Sequence, residues 1–258
     1  MRVNMSKTSN KESNNTGANK ILANSPYHSQ KRLSMVAENY LLSIYYLQEN
    51  NENKISLTEL AEYLKNAPVS ENLGSSLPSV SAMIKRLIKE GLLTPNPKDL
   101  ELSSAGKQSA EFIVRRHRLA ERLVVDILGL DLEHAYEEAH LLEHAISPKV
   151  EKRLIELLDH PTTGAFGQKI PGSNKHKPTL TLRLLNTQVD NEYSIISIPP
   201  EDNDLLVYLV RNGLVPGAKI TIVDISKTRG VTTIRSNDQD ITFSNTVAHN
   251  IFVSSIIN

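Results

Sequence analysis

The stretch from Arg115 to Ser147, RRHRLAERLVVDILGLDLEHAYEEAHLLEHAIS, constrains this chain more than any other. Its apolar residues recur at helical spacing. Leu119, Leu123 and Ile127 precede Gly129, and Ala135, Ala139, Leu142 and Ile146 follow it, which predicts two amphipathic helices with a short connection. On the second helix His140, Glu143 and His144 stand three and four residues apart, so two imidazoles and a carboxylate share one face within reach of a single divalent ion. On the first, His117 and Glu121 repeat that geometry. Two such sets predict two ion sites, or one site shared between the helices. Surface helices also carry His and Glu at these spacings without holding a metal, so the surrounding sequence has to decide.

The chain has 258 residues, enough for one large or two modest domains with proper cores. It has no cysteine, which excludes disulfides, iron–sulfur ligation and thiolate zinc sites. Any metal must be held by nitrogen and oxygen, which points to manganese, iron or zinc. Lys and Arg total 29, as do Asp and Glu, so overall charge argues neither for nor against a nucleic-acid partner. No apolar run approaches the roughly 18 to 20 residues that cross a bilayer, and the N-terminus lacks the apolar core of a secretion signal. The expectation is a cytoplasmic protein with no membrane partner.

Residues 1–32 are rich in Ser, Asn and Lys and are expected to form a disordered tail. A winged helix-turn-helix DNA-binding domain is predicted over 33–110. Its first helix, Ser34 to Leu47, is apolar around most of its circumference, as a helix at a domain centre would be. Ser56 and Glu59 stand in capping-box positions before LTELAEYL. A third helix, Ser76 to Glu90, turns Val80, Ile84, Leu87 and Ile88 inward and ends at Gly91. Its outward face carries Ser79, Ser81, Ala82, Lys85, Arg86 and Lys89, suited to placing small residues at base edges and cations on phosphates. From Ser76 to Lys98 there are four cations and one acid, an imbalance the overall count conceals. The turn before this helix, KNAPVSENLGSS, is longer than a usual helix-turn-helix turn. LLTPNPKDLELSSAG reads as the wing, two short strands about a Pro-Asn-Pro turn.

Residues 111–161 form the predicted metal-binding and dimerisation domain, which closes with a helix from Pro148 to Leu158. Thr162 to Pro178 has the composition of a linker. Over 179–258 the runs LTLRLLN, YSIISI, AKITIVD, VTTIR and DITFS, with one helix from about Asp202 to Asn212, predict a small β-barrel. The fold class is therefore mainly α with β.

This order of modules, with RRHRLAERL, DILGLD, EEAHLLEHAIS, VEKRL and HPTT, resembles the metal-dependent repressors of the diphtheria toxin repressor and manganese transport regulator family. The likeness runs from about Ser34 to the C-terminus, and NGLVPGAKITIV resembles the FeoA-type barrel that many members carry. The resemblance implies a primary metal site at Asn39, His140, Glu143 and His144, and an ancillary site at His117 and Glu121. Tyr136 stands at the third ancillary position. Gly164 and Phe166 stand where manganese-type long members have Cys and His, and Glu201 is the nearest acid at the barrel helix. DNA contacts map to Pro78, Ser79, Ser81 and Ala82, with Lys85 and Arg86 nearby. Ala82 falls where iron-type members often have Gln, which shifts recognition toward thymine methyls and DNA shape.

The function so implied is a homodimeric repressor of metal-uptake genes that binds a palindromic double-stranded operator when loaded with Mn²⁺ or Fe²⁺, Zn²⁺ being a further candidate in vitro. No enzyme activity and no small organic substrate are expected. Two other readings stay open from sequence. The first is a metal-independent winged-helix regulator with a vestigial site, given Asn39 and Tyr136. The second is a metallohydrolase, since His140-Leu-Leu-Glu143-His144 fits the H-x-x-E-H pattern.

Overall fold

Helix α1 (Met35–Asn50) is apolar nearly all round because two cores claim opposite sides of it. The structure is a computed structural model that describes residues 33–50, 54–65, 73–96, 99–173 and 180–256. The expected N-terminal tail lies outside the described residues, as does part of the long turn before the third helix. Ala37, Tyr40, Leu41 and Ile44 of α1 pack with α2 (Leu57–Lys65) and α3 (Leu77–Lys89), while Leu42 and Tyr46 reach a second core. α1 is thus shared between the winged helix and everything behind it.

The caps form as expected. Ser56 N–H donates to Glu59 Oε2 at 2.7 Å, and Glu59 N–H to Ser56 Oγ at 3.2 Å. Ser76 caps α3, whose Val80, Ile84 and Leu87 are buried, whereas Ile88 is only half-buried. The wing differs from expectation: the described residues hold single bridges, Leu93 to Leu102 and Ile55 to Leu100, instead of two strands. Pro95 lacks the N–H donor that a longer ladder would use.

Helix α4 (Ser104–Arg122) runs on through a π-helical turn, Leu123–Ile127. That wider turn shifts the helical phase, so Ile127, expected to face inward, is 47% exposed. A 3₁₀ turn (Leu132–His134) leads into α5 (Ala135–Glu143). Ser147 then caps α6 (Pro148–Leu157), with Pro148 in the first turn, where its missing N–H is harmless.

The segment expected as a linker is, from Thr162 to Ser173, closely packed. Phe166 is fully buried and Ile170 nearly so, and Ile198 N–H donates to the Phe166 carbonyl at 3.1 Å. Gly167 (φ 92°) lies so near the Ile196 carbonyl that a Cβ would stand 1.9 Å from it. Apolar residues spaced among Gly and Pro were enough to dock this loop; residues 174–179 lie outside the described set.

A six-stranded antiparallel sheet follows. It consists of β1 (Leu182–Arg183), β2 (Glu192–Ser197), β3 (Lys219–Ser226), β4 (Val231–Ser236), β5 (Gln239–Ser244) and β6 (Phe252–Ser255), in the order β1-β6-β2-β3-β4-β5. β6 had no counterpart among the expected strands, yet it lies between β1 and β2, with Ile195 opposite Val253. α7 (Asn203–Arg211) and α8 (Asn245–His249) complete this part, and Leu206 and Leu209 of α7 enter the core. That core also takes Ile113 and Val114 of α4, Tyr136 of α5 and Phe166, so sheet and helices share one apolar interior.

Candidate metal centre

His117 and Glu121 lie one turn apart on α4, and His140 and Glu143 three residues apart on the adjoining α5, whose C-cap is His144. The packing of α4 on α5 buries all of these except His144, which is half-buried. Glu143 is the hub. Its Oε2 accepts from His117 Nδ1 at 2.6 Å, and its Oε1 stands 3.4 Å from His140 Nδ1 and 3.3 Å from His144 Nε2. His117 Nε2 in turn stands 3.1 Å from Glu121 Oε1. His117, His140 and Glu143 each present a ligand atom, all within 4.8 Å of one another. The family resemblance put His117 in a different site from the other two, while the spacing left a single shared site open.

The electrostatics follow from this crowding. Burial alone would lower the His117 imidazole, but the carboxylates of Glu143 and Glu121 outweigh it and hold the group up at about 9. Burial would raise Glu143, but His140 and His117 prevail and keep it at about 2. The cluster is a buried carboxylate ringed by imidazoles.

At one end the cluster meets α1. His144 Nδ1–H donates to Glu38 Oε2 at 2.8 Å, which orients the ring with Nε2 toward Glu143. Asn39 is buried, and its Oδ1 has no hydrogen-bond partner among the described residues; His144 Nε2 is likewise buried without a hydrogen bond. Polar atoms left so in an interior are costly unless something else satisfies them. A divalent transition metal suits this nitrogen and oxygen donor set, which has no sulfur. Glu38 was missed from sequence. The signal was present, an acid in the first turn directly before Asn39, but nothing in the spacing tied it to a histidine 106 positions away.

At the other end the cluster meets the 162–173 loop. Ala165 N–H donates to Glu121 Oε2 at 3.0 Å. A Cβ added to Gly164 would lie 2.2 Å from that same oxygen. Tyr136 is buried edge-on to both His117 and His140, with ring centroids 5.0 and 4.7 Å apart, and Phe166 packs against Tyr136. Arg118, also buried, bonds Glu49 of α1 and the Lys169 carbonyl. Near this group Glu201 is half-buried and titrates at about 7, raised by desolvation first and then by Glu49 and Glu121, with Arg118 opposing. His134 is exposed beside Glu133, away from the cluster.

The other predicted residues lie apart, on α3. Pro78, Ser79, Ala82, Lys85 and Arg86 are exposed and Ser81 is half-buried, while Arg86 pairs with Glu90 at 2.8 Å. From the π-helical turn through α5 the described residues expose four large apolar side chains, Ile127, Leu128, Leu130 and Leu141. Among the described residues no helix is long and apolar enough to cross a membrane.

Three family models tile this chain: an iron dependent repressor N-terminal DNA binding domain over residues 32–99, an iron dependent repressor metal binding and dimerisation domain over 103–172, and a FeoA domain over 182–255. The iron-dependent repressor IdeR of Mycobacterium leprae is 32% identical over 233 residues, covering 85% of this chain and 96% of the relative. The diphtheria toxin repressor of Corynebacterium diphtheriae is 29% identical over 238 residues, covering 88% and 100%. Among solved structures, a manganese-dependent transcriptional repressor in complex with manganese superposes with a TM-score of 0.73 at 26% identity, covering 85% of this chain and all of the other. ScaR with bound Zn²⁺ does so at 0.70 and 31%, covering 85% and 99%. With both halves of the repressor architecture and the FeoA domain accounted for along its length, the chain belongs to the iron-dependent repressor family, that of the diphtheria toxin repressor.

Proposed function

We propose that this protein is a metal-dependent DNA-binding repressor that acts as a homodimer and grips its operator when Mn²⁺ or Fe²⁺ is held by Asn39, His140, Glu143 and His144, with His117 and Glu121 behind them. The observation that carries this reading is the bond from His144, at the end of α5, to Glu38 of α1, whose next residue, Asn39, has a buried Oδ1 without a hydrogen-bond partner among the described residues. A bound divalent ion would supply positive charge at that seam. Asn39 and Glu38 stand on α1, and α1 supplies Ala37, Tyr40, Leu41 and Ile44 to the winged-helix core. Drawing the start of α1 toward α5 therefore sets the angle of the whole winged helix against the dimerisation helices. Two such heads must match successive major grooves, so a small change in that angle changes operator affinity.

At the DNA, Pro78, Ser79, Ser81 and Ala82 present a low-profile first turn of α3 to base edges, and Lys85 and Arg86 reach phosphates. The exposed Ile127, Leu128, Leu130 and Leu141 form the dimer contact. The donor set has no thiolate, which favours Mn²⁺ and Fe²⁺ by hardness and leaves Zn²⁺ as a tight competitor in vitro. Metal-uptake genes are the proposed targets.

Ion and operator must strengthen each other's binding by the same factor. The test is a mobility shift with duplexes enriched from a random pool by Mn²⁺-loaded protein, comparing loaded and chelated forms. Tighter binding by the loaded form is expected, and equal affinity in the two would end the proposal.

A further inference from the structure

Between α4, α6 and residues 160–173 lies a cavity of about 270 Å³ that neither the ligand cluster nor the DNA-reading helix uses. Its walls are of two kinds. Leu119, Ile155 and Ile170 give it apolar surface, while Arg115, His160 and the hydroxyl-bearing Thr162 and Ser173 supply the polar side. No carboxylate is among the described residues that line it, so its ionisable groups are both bases. The chain turns back after α6 through Asp159 and His160, whose φ of 52° and 55° lie in the left-handed region, and so carries His160 into the wall.

Arg115 gives the cavity its preference. Its side chain is 10% exposed, its Nε–H donates to the Pro171 carbonyl at 2.8 Å, and its Nη1 stands 3.4 Å from Glu151 Oε1. Gly172, at φ 76°, passes so close that a Cβ there would lie 2.6 Å from Arg115 Nη2. These contacts hold the guanidinium in one place. Glu151, however, is shared with Arg116, whose Nε lies 3.5 Å from Glu151 Oε2 and is buried without a hydrogen bond among the described residues. One buried carboxylate answers two guanidinium groups at long range, and it does not itself line the cavity. Positive charge kept from water and only partly compensated is costly, and an anion on the cavity side of Arg115 relieves that cost. We infer that this cavity is a binding site for a small organic carboxylate, its acid group against Arg115 and its compact apolar body against Leu119, Ile155 and Ile170. The planar fork of a guanidinium matches a carboxylate, and the space is smaller than the roughly 300 to 1,000 Å³ of sites for drug-sized ligands. A molecule on the scale of benzoate suits both.

Metal and operator have no part in this inference, so its failure leaves the proposed function untouched. Full-length protein is titrated with benzoate, benzamide and inorganic phosphate, and binding is followed by calorimetry and ligand-observed NMR. Benzoate should bind saturably, one per protomer. Benzamide keeps the shape without the charge and phosphate keeps charge without the apolar body, so each should bind at least about 10-fold more weakly. Ser173→Phe sets a ring into the cavity and should remove benzoate binding. Arg115→Lys keeps the charge beside Glu151 but loses the fork, and should weaken benzoate about 10-fold. Benzamide or phosphate binding as tightly as benzoate, or benzoate binding undiminished in Ser173→Phe or Arg115→Lys, would overturn the carboxylate site. So would the absence of saturable benzoate binding by the unaltered protein. The three probes on the unaltered protein decide the matter even if a variant fails to fold.

Discussion

The α1 end and the loop end of the ligand cluster each set a histidine against a carboxylate, and they are closed by different parts of the chain. At the α1 end Asn39 Oδ1 and His144 Nε2 are buried without a hydrogen-bond partner among the described residues. At the loop end the Ala165 amide bonds Glu121, Gly164 leaves no room for a side chain beside it, and Tyr136, backed by Phe166, lies edge-on to His117. Buried polar groups are satisfied in folded proteins unless something outside the chain is meant to satisfy them. Both ends keep buried atoms without a hydrogen bond among the described residues, Asn39 Oδ1 and His144 Nε2 toward α1 and His117 Nε2 and Gln168 Oε1 toward the loop, but only at the loop end does a backbone amide bond one of the cluster's carboxylates.

Removing the hub should have the largest effect, because it collapses the contrast altogether. Glu143→Ala leaves His117 buried without its nearest carboxylate and should destabilise the metal-free protein by about 3 to 5 kcal/mol in denaturant unfolding, besides abolishing Mn²⁺ binding in dialysis. An unchanged unfolding midpoint would mean the cluster is looser than its distances imply. At the loop end, Glu201 makes the pH dependence informative. Its folded value of about 7 lies above the ordinary 4.5, so its contribution to stability is fully present below pH 4.5 and is lost as pH rises through 7. That loss should amount to at most about 3 kcal/mol, and Glu201→Gln should flatten unfolding free energy across this window. A variant as pH-sensitive as the parent would remove Glu201 from the buried group.

Gly164→Ser crowds Glu121 and should cost about 1 to 3 kcal/mol in the same unfolding assay; no loss would show that the loop yields more readily than its packing suggests. The smallest change is at the α1 end. Glu38→Gln keeps a hydrogen-bond acceptor for His144 but removes the charge, and should weaken Mn²⁺ about 10-fold with little effect on metal-free stability. An affinity unchanged in this variant would separate Glu38 from the centre.

Much of this was legible in the residues. The spacing of His140, Glu143 and His144 placed them on one helical face, and Ser56 with Glu59, or Ser76 before Pro78, marked helix starts that local hydrogen bonding alone produces. Other features escaped because they depend on partners far along the chain. The π turn that exposes Ile127 leaves no mark in an apolar repeat. β6 lies at the end of the chain but pairs between β1 and β2. The composition of Thr162 to Pro178 suggested a linker, yet Phe166 found a core to enter.

What the sequence determined by itself was therefore a matter of short range: which residues are helical, which faces are apolar, and which side chains are able to ligate an ion. The number of sites those ligands form was open, since both one and two satisfied the spacing. Only the packing of α4 against α5 turned His117 toward Glu143, because the direction of a buried imidazole is chosen by the hydrogen-bond partner that the fold carries to it, here the Glu143 carboxylate at Nδ1.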